Sequence, residues 1–397
     1  MTVTTPPRIP FWRDVRKLSL LVQVVSAVLA AGLLAFLVVT AFRGMVARGI
    51  PFTFGFLFAE AGFSVSEGSL LVFEDGRLVW RPFTARDPYI SAFVTGLFNT
   101  LRVAVVGIVL ATLLGLTIGV GRLSRNLLVN RLCFAYVELV RNTPLLLQMF
   151  FWYFAVFLKL PPAREAGVWY GGLIVSSQGA FMPWPSATAP IGAFAAVLVA
   201  GPVLAIVAYL VHRRLDRGGG GVNALGVLAA VWLAGFVATG LPFELSYPEL
   251  GRFRVTGGIN LSPEFTAVLL GLVVYTAAFI AEVIRGAIQS IPAGQREAAE
   301  SLGLRPGQVM LLVILPQAVR IAIPPVGNLY LSLTKNTSLA VAVGYPDLFN
   351  VYKTIANQSG RSLEGVVIIM LVYLVLSFSI SGLINAYNRK VMRTWSG

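Results

Sequence analysis

Apolar runs as long as a lipid bilayer is thick recur through this chain, with charges gathered in the gaps between them. Crossing a bilayer as a helix takes roughly 20 apolar residues, and about eight runs reach that scale. They are Leu18 to Phe42, Ile90 to Val120, Phe134 to Leu158, Pro190 to Val211, Val222 to Leu241, Phe265 to Ile284, Val309 to about Leu333, and Gly365 to Ala386. In hydrocarbon the backbone must satisfy its own hydrogen bonds, so runs this long are helical. The fold class expected is an all-α integral membrane protein with about eight transmembrane helices. A make-up of 57% hydrophobic and 12% charged residues over 397 positions agrees with a chain housed in a bilayer. The first run is too long for a signal-peptide core and lacks an evident cleavage pattern, so it reads as a retained anchor.

The net charge of +14 invites a nucleic-acid reading, but the basic residues sit in short clusters beside apolar runs and form no single stripe. Those clusters set orientation. Arg8, Arg13, Arg16 and Lys17 precede the first run; Arg122, Arg125 and Arg131 follow the second; Arg213, Arg214 and Arg217 follow the fourth. Arg296 and Arg305 follow the sixth, and Arg389, Lys390 and Arg393 close the chain. All fall on one side if the number of spans is even, which puts both termini in the cytoplasm. On the other side, Arg77, Arg81 and Arg86 alternate with Glu67, Glu74, Asp75 and Asp87 in a loop long enough to weaken the rule. Cys133 and His212 are the only residues of their kinds, which excludes an intrachain disulfide and leaves no metal site or cofactor to expect.

The spans divide the chain into residues 1–89, holding a cytoplasmic segment, the first helix and an external loop, and residues 90–397, holding the other runs. Within the external loop, Pro51 to Phe63 is apolar but too short to span, and is expected to lie along the interface or re-enter. Leu160 to Ser186, with Trp169 and Trp184, reads as a second external loop with interfacial aromatics. The glycines from Gly218 to Gly221 mark a flexible cytoplasmic turn within an inserted helix pair at 190–241.

Between the sixth and seventh runs lies EAAESLGLRPGQVMLLVILP, Glu297 to Pro316. Pro292 suits the first turn of a helix, and mostly good helix formers follow until Gly303, which fits a left-handed C-terminal cap. On that short helix Ala298, Ala299 and Leu302 fall at spacings that share one small-sided face, with Glu297 and Glu300 beside it. Pro306 is well placed to start the next helix, which Pro316 limits or kinks. These residues resemble the EAA loop of ABC-importer permeases, whose pattern is Glu-Ala-Ala, three residues, Gly, nine residues, Ile, one residue, Leu-Pro. Glu297, Ala298, Ala299, Gly303, Leu315 and Pro316 fall on that pattern, with Val313 in the isoleucine place. The resemblance implies a permease core whose cytoplasmic coupling helix docks on an ATP-hydrolysing subunit. Since the chain has no GxxxxGK[ST] segment, a P-loop for ATP must lie on that partner, and the chain is a permease subunit and not itself an enzyme.

Gly96 to Val120, Tyr136 to Gln148 (YVELVRNTPLLLQ), Tyr275 to Ala293 (YTAAFIAEVIRGAIQSIPA) and Asn328 to Ala340 (NLYLSLTKNTSLA) carry the likeness further. They resemble permeases that import polar amino acids, the histidine, glutamate, glutamine and arginine group. The additional first helix, the long external loops and the inserted helix pair depart from compact members. They look most like the Q-type membrane subunit of general L-amino-acid importers from Gram-negative bacteria. This implies an inner-membrane location, an L-amino-acid substrate of broad or polar specificity, a periplasmic amino-acid-binding protein, and a second, related permease subunit. The rival reading is an ion-coupled secondary amino-acid transporter, which needs inverted repeats and carboxylates near the bilayer centre. The few acids within runs lie near their ends.

Glu138 and Arg141, and Glu282 and Arg285, stand at helical spacing for pairing, with a role either in holding helices or in gating. Asn99, Thr100, Asn142, Thr143, Asn336 and Thr337 either bond helix to helix or line a watery path. Lys335 lies beside Asn336, just outside the seventh run. Gly107, Ala111, Gly115 and Gly119 form a smooth stripe suited to close helix packing or to a pore wall.

Overall fold

The computed structural model describes residues 14–47, 49, 52–74, 77–187, 192–214, 220–239, 243–251 and 255–393. Arg8, Arg13, Pro51, Asp75, Pro190, Arg217, Gly218, Gly219 and Leu241 lie outside the described residues. Helix α1 (Val15–Ala47) is apolar all round, and none of its apolar window is buried against the rest of the chain. It suits a face turned to lipid or to another subunit.

The loop after α1 is folded among its described residues. A single 3-10 turn at Gly55–Phe58 leads to buried Ala61, and an antiparallel hairpin follows, β1 (Ser69–Glu74) with β2 (Arg77–Pro82), pairing Ser69 with Pro82 and Glu74 with Arg77. Ala61, Leu70 and Phe83 pack with Tyr89 and Phe93 at the start of α2 (Tyr89–Gly121), and with residues near the chain's C-terminal part, Leu348, Ile355 and Ile369. Each fully buried side chain of this kind stabilises by about 1.5–3 kcal/mol, so the loop is a packed cap over the helix ends.

The expected third run is not one helix. The chain forms α3 (Leu127–Arg141), breaks at Asn142 and Thr143, and resumes as α4 (Leu145–Phe150), followed by a wide π turn at Phe151–Val156 and a 3-10 turn at Phe157–Lys159. Pro144 is the reason: it brings no N–H and disfavours helical backbone at Thr143. Buried Gln148 repairs the gap by donating to the carbonyls of Val140 at 3.0 Å and Thr143 at 3.1 Å.

Short strands occupy the next connectors. β3 (Val168–Trp169), β4 (Leu173–Ser176) and β5 (Gly179–Met182) join β10 (Ile259–Leu261) in an antiparallel sheet of order β10-β5-β4-β3. β6 (Trp184–Ala187) pairs with β7 (Phe243–Ser246), and β8 (Glu249–Leu250) with β9 (Val255–Thr256). The β6–β7 ribbon is the base of a hairpin made of α5 (Gly192–Arg214) and α6 (Gly220–Thr239), which pack on each other.

Helix α7 (Pro263–Gln289) is the most buried span. Ser262 caps its first turn by accepting from Phe265 N–H at 3.0 Å. It runs parallel to α2, and the small-residue stripe is their seam: a Cβ on Gly115 would come within 2.7 Å of Ile280, and one on Gly119 within 3.0 Å of the Ala281 carbonyl. After α8 (Ala293–Ser301) and the single turn α9 (Pro306–Gln308), a π turn at Val309–Ile314 opens into α10 (Leu315–Asn336), and a 3-10 stretch carries the chain to Val343. The wide turn absorbs Pro316, so the chain does not stop there. Asp347 caps α11 (Leu348–Ser359), and α12 (Ser362–Arg393) completes the described fold.

Among the described residues five helices are long and apolar enough to cross a membrane: Val15–Gly44, Tyr89–Gly121, Pro263–Gln289, Pro306–Val343 and Ser362–Arg389. The remaining expected runs appear as shorter apolar helices, Leu145–Lys159, Val197–His212 and Ala224–Val237. Among the described residues the candidate spans are helices, and the strands belong to the connectors.

Candidate coupling site and its charged neighbours

Helix α8 starts at Pro292, as N-cap, and ends in a complete local cap. Gly303 takes φ +79°, its N–H donates to the Glu300 carbonyl at 2.9 Å, and Leu304 N–H donates to the Ala299 carbonyl at 3.3 Å. That pair of reversed bonds is a Schellman motif, with Leu304 packed near Ala299 to complete it. The cap also fixes which way the helix faces. Ala299 is 4% exposed and rests on Val309 and Ile314, whereas Ala298 points outward and Leu302 is 82% exposed. The expected common face is therefore split: Ala299 anchors the helix, and Ala298 and Leu302 project. Glu297 and Glu300 flank the projection in solvent.

The rest of the loop is the bed for that helix. Arg305 N–H donates to the Gln308 side chain at 2.9 Å and Pro306 begins the next turn, so α9 starts with its own donor satisfied. Val313 is half-buried beneath α8, Leu315 is exposed, and Pro316 lies half-buried behind the π turn. Gln317, next along, donates to Gln295 of α8 at 3.2 Å and to the Val313 carbonyl at 2.9 Å, tying the short helix to the span that follows.

The two expected charge pairs part ways. Glu282 and Arg285 form a forked ion pair, with Arg285 Nε 3.1 Å from both carboxylate oxygens and the guanidinium reaching Gln289 as well. No ion pair joins Glu138 and Arg141 among the described residues. Glu138 accepts instead from Asn142 at 3.3 Å, and Arg141 lies 5.2 Å from the Phe279 ring of α7. The break before Pro144 makes this choice, because it ends α3 at Arg141 and frees that side chain to turn toward α7. Arg122, which the sequence marks only as part of a basic cluster, approaches Glu282 to 3.8 Å and stacks 4.9 Å from Phe134 of α3.

The polar side chains are mostly occupied. Asn99 donates to the carbonyls of Glu67 and Pro346, each at 2.9 Å, and Thr100 accepts from Leu348 N–H at 3.0 Å, so this pair bonds α2 to the turn before α11. Thr143 donates back to the Leu139 carbonyl of α3 at 2.8 Å and buried Thr337 to the Thr334 carbonyl of α10 at 2.8 Å, each closing the end of the helix before it. Asn336 is half-buried at the C-terminal end of α10, and Lys335 beside it is exposed. Sequence reasoning missed the clasp built on Glu67, which holds Arg102 of α2 at 2.8 Å and the Ser262 hydroxyl of α7 at 2.6 Å. No local pattern announces contacts between residues so far apart in the chain.

The sequence pattern of the family described as binding-protein-dependent transport system inner membrane component matches residues 224–393, from α6 through α12. The general L-amino acid transport system permease protein AapQ of Rhizobium johnstonii is 42% identical, over 85% of this chain and 83% of its own length. The putative amino-acid ABC transporter permease protein YhdX of Escherichia coli is 38% identical over 94% of this chain and 93% of its own. The glutamate/glutamine/aspartate/asparagine transport system permease protein BztB of Rhodobacter capsulatus is 36% identical over 95% and 94%. With the geometry of the Glu297–Pro316 loop in place and relatives aligned over most of their length, this multi-pass membrane chain belongs to the binding-protein-dependent ABC-transporter permeases, alongside the amino-acid permease proteins.

Proposed function

We propose that this chain is the subunit through which an ATP-driven importer passes L-amino acids, of broad or polar range, across the bacterial inner membrane. The observation that carries this reading is the projection of Ala298 and Leu302 from a helix whose other side is anchored by Ala299 and whose end is capped at Gly303. A leucine left 82% exposed beside an alanine on a rigid mount is a docking element, and a cytoplasmic ATP-binding subunit is its occupant. That subunit hydrolyses ATP; this chain supplies no P-loop. The substrate class is supported by the relatives named for amino-acid transport.

A second permease subunit, a related chain, completes the path. Asn328, Ser332 and Lys335 share an exposed face of α10, and a lysine facing lipid there costs at least about 2.5–3.5 kcal/mol. The face is better suited to water between two subunits. A periplasmic amino-acid-binding protein delivers substrate on the external side, and both termini are cytoplasmic. Residues 90–397 form the permease unit with the hairpin at 190–241 inserted, while residues 1–89 add a span and the external cap. Coupling requires each nucleotide state of the ATPase to bind one access state better, since a ligand shifts an equilibrium only by differential affinity.

Uptake by proteoliposomes holding the complete complex, with external binding protein and internal ATP, tests the reading through Ala298→Glu. A carboxylate on the docking face lowers uptake at least roughly tenfold, equivalent to about 1.4 kcal/mol of lost coupling, while membrane insertion is kept. Normal uptake together with normal ATPase docking refutes it.

A further inference from the structure

One carboxylate serves three helices at the inner end of the fold. Glu282 of α7 is held by Arg285 of its own helix, Nε at 3.1 Å from each oxygen. Arg122, at the end of α2, stands off at 3.8 Å from the same group. Its side chain is 11% exposed, and among the described residues its Nη1 is buried without a hydrogen-bond partner. A guanidinium nitrogen so placed is about 1 Å short of an N–H···O bond to Glu282. On its other side Arg122 stacks on Phe134 of α3, and Arg141 of α3 stacks on Phe279, the α7 residue almost one turn before Glu282. Glu282 thus lies where α2, α3 and α7 meet, among more guanidinium groups than one carboxylate neutralises.

The position matters because α7 continues unbroken from Glu282 to Gln289 and then passes through Pro292 directly into α8, the docking helix. Movement of α8 pulls on the end of α7 that carries Glu282, while Arg122 is fixed to the end of α2. We infer that Glu282 is a positioning residue for transport, exchanging its forked bond to Arg285 for a closed bond to Arg122 as the docking helix moves. The exchange links the ATPase-driven displacement to α2 and, through Phe134, to α3. The buried, unsatisfied Arg122 nitrogen is the mark of the partner left open in the conformation described here. Such an element has two discrete arrangements, which is the physical requirement for passing a displacement between sites.

This inference rests on the proposed ATP-coupled import, and the test separates the two. In proteoliposomes with the complete complex, wild-type uptake driven by internal ATP is measured first; its absence refutes the import reading itself. Given wild-type import, Glu282→Gln lowers uptake at least roughly tenfold while ATP hydrolysis continues without acceleration by loaded binding protein. Arg122→Gln gives the same split, the two together lose no more than either alone, and Arg122→Lys, which keeps the charge, retains uptake. Where Glu282→Gln does not assemble, the Arg122 pair alone decides. Unchanged uptake in Arg122→Gln overturns the inference. So does a parallel fall of uptake and hydrolysis with the acceleration intact, which is the behaviour of a merely structural contact.

Discussion

Asp87 illustrates how much a single residue fixes in the cap that precedes α2. Its carboxylate accepts from Arg81 at 2.6 and 2.8 Å and from the Thr84 N–H at 2.7 Å, while its own carbonyl holds Ala61 N–H at 2.9 Å. The Arg81 guanidinium outweighs burial and, with Thr84, holds this carboxyl well below its ordinary 3.8. Because the folded value is depressed, its contribution is present above pH 3.8 and is lost as the pH falls through the folded value. Hydrogen exchange at Ala61 and Gly62 reads this locally. Asp87→Asn weakens protection near neutral pH by about 1–3 kcal/mol, and the difference from wild type shrinks as the medium is acidified. A constant difference across the acid range removes the ionised pair from the account. Residue-scale reading of the sequence caught the alternation of charges in this loop but not which pair would close, since that depends on the hairpin register that brings Arg81 over the Thr84–Asp87 turn.

At the scale of elements, the α5–α6 hairpin stands apart from the core. Its helices pack on each other, and its base is the ribbon pairing Ala187 with Phe243. Two strands already in register need only a short turn to close them. Replacing residues 188–242 by a Gly-containing turn of hairpin length leaves the thermal unfolding midpoint of the purified complex within about 3 °C of wild type, because few core contacts are removed. A fall of more than about 10 °C means that the hairpin supports the core in a way its packing does not reveal. Element boundaries were legible where chemistry is local, as with Pro292 and Gly303 around α8. They failed at Phe134 to Leu158, where uniform apolarity concealed a break that Pro144 imposes and Gln148 repairs. The cap formed by residues 52–74 and 77–88 was likewise hidden, because Glu67 finds its partners at Arg102 and Ser262.

For the whole molecule, the basic clusters and the order of spans predict that α8 and the strands before α7 lie on opposite sides of the bilayer. In a cysteine-free background, a membrane-impermeant thiol reagent applied outside intact cells' inner membranes labels a cysteine placed at Thr256 of β9, and labels one at Arg296 only after the cytoplasmic side is opened. Labelling of both from one side breaks the topology. The sequence alone determined the helical membrane class, most of the long apolar helices and the short capped helix between two of them, and from its charges it predicts their sides. Backbone bonding in hydrocarbon is local, charge at helix ends is counted without knowing partners, and a glycine at a left-handed cap acts on its own turn. Only the tertiary structure decided that Ala299 is an anchor while Ala298 projects, that Glu282 meets Arg122 while Glu138 leaves Arg141 to Phe279, and that Glu67 clasps α2 to α7. Each of those depends on how a helix is rotated about its axis against its neighbours, which is set by long-range packing such as the Gly115–Ile280 seam and is written in no single stretch of the chain.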